Sequence, residues 1–225
     1  MKKKNLDRQD NPQFRLVVDF RRLNDQCIPQ TFLLPQVPEI LESLGHNTYY
    51  TILDLVSGVH QILVREQDQP KLAFSSPNGH YQYKKVPFGL RSSPAAFLKC
   101  MNATLAGLMG QWCLVYMDNV IVFAKNISDH QSKLVDILEQ MRRCNLRLQP
   151  DKCQFLMKEV TYLGHILSES GVRLDPEKIK VLQEYQHPKN VKSLQSFLGF
   201  CNYYRRFVQN FSEVVLPLTK LLCSI

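Results

Sequence analysis

Two aspartates stand at the ends of strand-like runs, where carboxylates can do chemistry. Asp118 lies in Tyr116-Met117-Asp118-Asn119, a polar break between Cys113-Leu114-Val115 and Val120-Ile121-Val122-Phe123-Ala124. Two runs of β-formers around an Asp-Asn pair predict a tight hairpin with Asp118-Asn119 as its turn. Asp54 closes the apolar run Thr51-Ile52-Leu53-Asp54 and precedes Leu55. A buried carboxylate is costly without a partner or a metal, and a lone strand-end aspartate usually faces water. Two such strands side by side would bring the carboxylates within a few ångströms, the separation a metal pair needs for phosphoryl transfer. Asn119 puts an amide where another carboxylate could sit.

The flanking elements must position these groups. Residues 1–13 are polar and read as a loop. Residues 14–18 read as a strand, followed by a turn through Asn24. Residues 35–44 read as a short helix stopped at Gly45. Residues 49–55 read as the strand that carries Asp54, with further strands at 60–65 and 71–75 and a hairpin turn at Asn78-Gly79. Ser93 reads as an N-cap before Pro94, opening a helix with Phe97, Met101, Leu105 and Leu108 on one face. Ser128-Asp129-His130-Gln131 reads as a capping box before a helix that buries Leu134, Ile137, Leu138 and Met141. Residues 146–148 and 160–167 read as strands. Beyond Ser170-Gly171 the pattern is helical, with helices opened by Asp175-Pro176, Asn190 and Ser212. The order predicts a mixed α+β body to about residue 168, then a small helical bundle.

The 225 residues are 44% hydrophobic, enough to bury a core. Lys and Arg number 28 against 20 Asp and Glu, a net charge of +8 that favours a polyanionic partner, nucleic acid first. The seven cysteines are odd in number and form no C-x-x-C pair. That argues against a zinc site or a disulfide framework and for a reducing, intracellular compartment, cytoplasm or nucleus. Met1-Lys2-Lys3-Lys4 is followed by no apolar stretch, so no secretion signal is expected, and no run is long enough to span a membrane.

Seven motifs then fall in one order. They are Phe14-Arg15 with Val18-Asp19-Phe20-Arg21; Leu53-Asp54-Leu55 with Ser57-Gly58 and His60-Gln61; Pro87-Phe88-Gly89-Leu90 with Pro94-Ala95 and Phe97; Tyr116-Met117-Asp118; Lys152-Cys153 with Phe155; Leu163-Gly164-His165; and Phe197-Leu198-Gly199 with Asn202-Tyr203-Tyr204-Arg205. Together they resemble the reverse transcriptase of gypsy-like long-terminal-repeat retrotransposons, over nearly the whole chain.

The resemblance implies an α+β right-hand polymerase fold of fingers, palm and thumb, with an antiparallel palm sheet packed on helices and a small helical thumb. By that likeness residues 1–48 are partial fingers and 49–75 the first catalytic strand of the palm. Residues 76–90 connect fingers and palm, 91–168 are palm and 169–225 are thumb. It implies two Mg²⁺ ions, replaceable by Mn²⁺, on Asp54 and Asp118, with Asn119 a weaker ligand. Arg15 and one of Lys2, Lys3 or Lys4 match cations that grip a nucleoside triphosphate. Leu55, Val59, Phe88 and Gly89 match its pocket, and Leu163, Gly164 and His165 match a turn that cradles the primer end. The implied partners are an RNA or DNA template with annealed primer, nucleoside triphosphates, and other Pol domains or a second copy. The family's first fingers strands would lie upstream of Met1, and connection and RNase H regions downstream of Ile225. On that expectation the chain is a fragment of a polyprotein, a truncated genomic copy or a coding exon.

Two positions depart from the family. Asn119 replaces a third aspartate. A metal-site loss of ~3–5 kcal/mol would slow catalysis roughly 10²- to 10⁴-fold, so impaired polymerase activity is expected. Val59 replaces a Tyr or Phe that excludes a ribose 2′-hydroxyl, which predicts an open sugar gate. A non-catalytic nucleic-acid-binding relic is the alternative. An RNA-dependent RNA polymerase is set aside, because Met117 and Val59 stand where that group carries Gly and Asp.

Overall fold

The computed structural model describes the backbone of residues 2–6, 12–14, 17–28 and 36–223, and the side chains of 17–28, 36–181 and 183–222. In chain order the strands and helices are β1 (Lys2–Leu6), β2 (Pro12–Phe14), α1 (Arg21–Gln26), α2 (Val37–Leu44), β3 (Tyr49–Asp54), β4 (Ala73–Ser76), β5 (Gly79–Gln82), α3 (Ser93–Thr104), β6 (Cys113–Tyr116), β7 (Asn119–Ala124), α4 (Ile127–Arg143), β8 (Gln154–Met157), β9 (Glu159–Tyr162), β10 (His165–Ser168), β11 (Gly171–Leu174), α5 (Pro176–Gln183), α6 (Val191–Tyr203) and α7 (Phe211–Cys223). They fall into two compact units. One comprises Met1–Gln36 with Asn47–Lys158; the other comprises Val37–His46 with Glu159–Ile225.

The first unit is organised by an antiparallel sheet in the order β6-β7-β3-β8. Its central strands are buried on both faces, so they read as apolar runs without alternation. Leu53, Val115, Val120 and Val122 share one core with Phe97 and Met101 of α3 and with Ile137 and Met141 of α4. Strand parity puts Tyr50, Ile52, Ile121 and Phe123 on the opposite face, where they too are buried. At the helix side, Thr51 Oγ1 lies 2.8 Å from His130 Nε2 and accepts from Leu156 N–H at 3.1 Å. Both Thr51 and His130 are fully buried. One hydroxyl therefore ties β3 to α4 and to β8, a strand that the sequence did not suggest.

Several local expectations shift for identifiable reasons. Residues 2–6 and 12–14 pair as strands rather than forming a loop, and Val17 and Val18 lie outside any strand. Residues 60–65 are not a strand, because a 3₁₀ turn takes Gly58–Gln61 and another takes Glu66–Leu72. The β4–β5 hairpin forms, but Ser76 pairs with Gly79, so its loop is Pro77-Asn78. Helix α3 begins at Ser93, not after it: Ser93 Oγ donates to Pro87 O at 3.1 Å and is spent on the preceding loop. Helix α4 is capped two residues before Ser128, by Asn126, whose Oδ1 accepts from Asp129 N–H at 2.9 Å. Leu148 forms only an isolated bridge to Leu55 in place of a strand.

The second unit carries the antiparallel sheet β9-β10-β11. The strand expected over 160–167 is broken into a hairpin, because Leu163 (φ 52°) and Gly164 (φ 75°) are both left-handed, the conformation that a two-residue turn demands. The part expected to be all helix includes β11, whose Val172 and Leu174 pair with Leu167 and His165. Asn190 and Ser193 form a reciprocal capping box at α6, as Asn190 suggested. Ser212 lies inside α7, which starts at Phe211. No described helix is long and apolar enough to cross a membrane.

Thr51→Val should cost about 1–3 kcal/mol, since it takes from the buried His130 ring and the Leu156 N–H the hydroxyl they share. Urea unfolding of the variant beside Thr51→Ser, which keeps the hydroxyl, measures the difference.

Candidate active site at the Met117-Asp118 turn

The hairpin between β6 and β7 turns at Met117-Asp118, one residue earlier than expected, because Tyr116 pairs with Asn119. Met117 takes the left-handed conformation (φ 53°) at a non-glycine residue, which costs about 1 kcal/mol or more. Asn119 thus leaves the turn and becomes the first residue of β7, directly opposite Asp54. Opposed residues of an antiparallel pair point to one face, so the Asp54 carboxylate and the Asn119 amide share the face away from α3 and α4. Leu55 N–H donates to Asp118 O at 3.2 Å, joining the end of β3 to the turn.

Electrostatics link the two carboxylates. Burial pushes the Asp118 carboxyl up, the charge of Asp54 pushes it further, and Lys152 draws it back. Lys152 Nζ lies 3.7 Å from Asp54 Oδ1. The backbone of Asp54 is held from the β8 side: its N–H points at Cys153 Sγ at 3.4 Å, and its carbonyl accepts from Gln149 N–H at 2.8 Å. Among the described residues no three His, Cys, Asp or Glu side chains cluster. The donor set is two carboxylates and an amide oxygen. These are hard oxygen ligands of the kind that suits Mg²⁺, with one charge fewer than three aspartates would bring.

Beside Asp118 lies a cavity of about 210 Å³, lined by Val59, Phe88, Gly89, Leu90, Phe97 and Met117 among others. The sequence grouped Val59, Phe88 and Gly89, and the structure brings them together here. Leu55 is buried in the adjoining core. Gly58 is required by close approach: a Cβ there would meet Phe97 Cε2 at 2.8 Å and Asp118 Oδ1 at 2.9 Å. Ser57 before it is left-handed (φ 48°), which swings the chain from β3 to under the turn.

Second-layer residues fix the walls. His60 Nδ1 bonds Val86 O at 2.8 Å, and its ring packs edge-on to Phe88 at 4.3 Å. Asn24 clamps the next segment: its Nδ2 donates to Gly89 O at 2.8 Å, and its Oδ1 accepts from Arg91 N–H at 2.8 Å. Gln61 bonds Val56 O and both the N–H and the C=O of Arg147. The reach of Asn24 and Gln61 spans more than sixty residues of sequence, so no local pattern signals it. Asp19 forms an exposed bidentate pair with Arg21, whose guanidinium holds its carboxyl at about 2.

Arg15 lies outside the described residues, as do the side chains of Lys2, Lys3 and Lys4. Leu163 and Gly164 form the β9–β10 turn of the second unit and are half-buried. His165 is 2% exposed, bonds Leu163 O through Nδ1 at 2.9 Å and stacks on Phe207 at 5.5 Å. Burial lowers its affinity for a proton, so it supports the turn as a neutral ring.

Known proteins resemble this chain in sequence and fold. A family model described as "Reverse transcriptase (RNA-dependent DNA polymerase)" matches residues 1–167. The chain is 40% identical over 210 residues to the "Retrovirus-related Pol polyprotein from transposon 297" of Drosophila melanogaster, covering 93% of the chain and 20% of that polyprotein. It is 41% identical over 220 residues to the corresponding polyprotein from transposon gypsy of the same fly, covering 98% and 21%. The chain thus spans about a fifth of the length of these relatives. Among solved structures, a foamy viral protease-reverse transcriptase in complex with double-stranded DNA has a TM-score of 0.84 at 27% identity, covering 94% of the chain and 37% of that protein. A foamy viral protease-reverse transcriptase in complex with an RNA/DNA hybrid has a TM-score of 0.76 at 27% identity, with 94% and 28% covered. The expected α+β right-hand polymerase fold is borne out.

The raised Asp118 carboxyl gives a pH-dependent expectation. Raised in the folded state, it contributes stability that is fully present below the ordinary carboxyl range and is lost as pH rises through its folded value. Asp118→Asn removes that loss. In chelator-containing buffer the variant should melt above the unsubstituted protein at neutral pH, and the gap should close on acidification. Equal melting temperatures from pH 3 to pH 8 would contradict the linkage to Asp118.

Proposed function

Because the chain belongs to the reverse transcriptase (RNA-dependent DNA polymerase) family, we propose that it is the polymerase domain of a gypsy-like retrotransposon Pol polyprotein. It extends a primer along an RNA or DNA template and is slowed by Asn119. The observation that carries this reading is the pairing of Asp54 with Asn119 next to the turn whose Asp118 lines a cavity with Val59, Phe88 and Gly89.

In the reaction, the primer 3′-oxygen bonds to the α-phosphorus of the triphosphate. The bond from that phosphorus to the bridging oxygen breaks, pyrophosphate leaves, and the 3′-hydroxyl gives up its proton. Two divalent ions, Mg²⁺ or Mn²⁺, would supply activation of the 3′-oxygen and neutralisation of the leaving group. Asp54 and Asp118 would hold them, with the Asn119 oxygen as a neutral third donor. Gly58 leaves the Asp118 carboxylate room. His60 and Asn24 steady Phe88 and Gly89 as cavity walls, and Val59 lies where the sugar would rest. Arg15 and an N-terminal lysine would grip the triphosphate. The complexes with double-stranded DNA and RNA/DNA hybrid formed by the foamy viral relative, and the net charge of +8, support a primer–template partner. The Leu163-Gly164 turn, propped by His165, would meet the primer end. On this reading residues 1–48 are partial fingers, 49–75 and 91–168 palm, 76–90 their connection, and 169–225 thumb.

Asn119 also favours a second reading, a non-catalytic nucleic-acid binder on the same fold. Primer extension on an RNA template, with Mg²⁺ and then Mn²⁺, separates the two. Asn119→Asp should raise the extension rate by about 10²- to 10⁴-fold. A reverted protein that binds primer–template but does not extend it would establish the binder.

The reverted protein should also incorporate GTP and dGTP with little discrimination, since Val59 leaves space beneath the sugar. Val59→Tyr should restore rejection of GTP. Strong rejection with Val59 in place would count against the open gate.

A further inference from the structure

A second cavity lies in the unit that carries Asp54 and Asp118, and the proposed reaction leaves it unused. It encloses about 700 Å³, within the range of small-molecule sites. Helix α3 turns Phe97, Leu98 and Met101 to the core. Its other face presents Ser92, Ala96, Lys99, Cys100 and Ala103 to this cavity at helical spacing. Leu23 and Cys27 close one side, and Val64, Leu72 and Val86 supply further apolar wall.

The charges that line it are unbalanced. Lys71 is paired with Asp68 at 2.6 Å. Arg65 and Lys99 form no ion pair among the described residues. An apolar hollow with two uncompensated cations complements a ligand with an apolar body and an anionic group. We propose that this cavity is a second small-molecule site that takes an apolar anion, its carboxylate, sulfonate or phosphate facing Arg65 and Lys99. Leu90 lines both this cavity and the one beside Asp118. An occupant therefore bears on the nucleotide cavity through one shared side chain. That consequence rests on the polymerase reading; binding itself does not.

Two dyes test it on the full chain: anilinonaphthalene sulfonate, which has apolar rings and a sulfonate, and phenylnaphthylamine, which has the rings alone. Binding is read by fluorescence, and N-ethylmaleimide labelling is mapped by peptide mass spectrometry. The sulfonate should bind saturably and slow labelling of Cys27 and Cys100, while exposed Cys144, outside the cavity, labels at its usual rate. The Arg65→Gln, Lys99→Gln double variant should bind the sulfonate about tenfold more weakly, with phenylnaphthylamine little changed. Ala96→Phe, which fills the cavity, should weaken both dyes. Equal affinity for the two dyes, unprotected Cys27 and Cys100 at saturation, or unchanged binding by the double variant would overturn the proposal. Primer–template binding, measured on the same preparation, keeps this outcome separate from the fate of the polymerase reading.

Discussion

The register between β3 and β7 is the constraint on which the site depends. It opposes Asp54 to Asn119 and Leu53 to Val120. A slip of one residue would turn every side chain of β3 to the other face. Leu53 and Thr51 would leave the helices, and the Asp54 carboxylate would point into the core. The apolar residues of both strands forbid that slip, because each face buries its own set. The same packing that stabilises the sheet therefore aims the Asp54 side chain.

Much of the site was legible in sequence because its key groups interrupt strong patterns. Asp54 ends an apolar strand, and Asp118 sits in a polar break between two others. Such contrasts survive without knowledge of the tertiary structure. The turn was misplaced by one residue because Asp-Asn is the better turn pair by propensity. Strand pairing instead drew Asn119 into the ladder and left Met117 to take the left-handed position. Helix starts slipped for a similar reason: Ser93 and Ser128 look like caps, but the Ser93 hydroxyl bonds a loop carbonyl and Asn126 caps two residues before Ser128. Strand β8 was missed because Gln154-Phe155-Leu156-Met157 shows no alternation of polar and apolar residues, and β11 because Gly171 reads as the boundary before a helical pattern. The supports from Asn24, Gln61 and His60 were invisible because their partners are distant in sequence.

Asn119 takes its place in the ladder opposite Asp54, with its side chain on the same face. The sheet thus holds a neutral amide at this position. Asp118, by contrast, is already held in an environment that resists its ionisation, with Lys152 as the nearby compensating cation. The electrostatic centre and the scaffold are therefore coupled through Asp118, whose burial raises its carboxyl.

The Leu55 amide bonded to the Asp118 carbonyl has a mechanical consequence. The peptide between Asp54 and Leu55 carries one carboxylate on one side and grips the backbone of the other on its far side. Twisting or breathing of the sheet then moves both aspartates together, as points on one rigid link. The backbone spacing of the two aspartates is thus tied to one peptide plane and one hydrogen bond, and their side-chain torsions alone adjust the distance between the carboxylates across it.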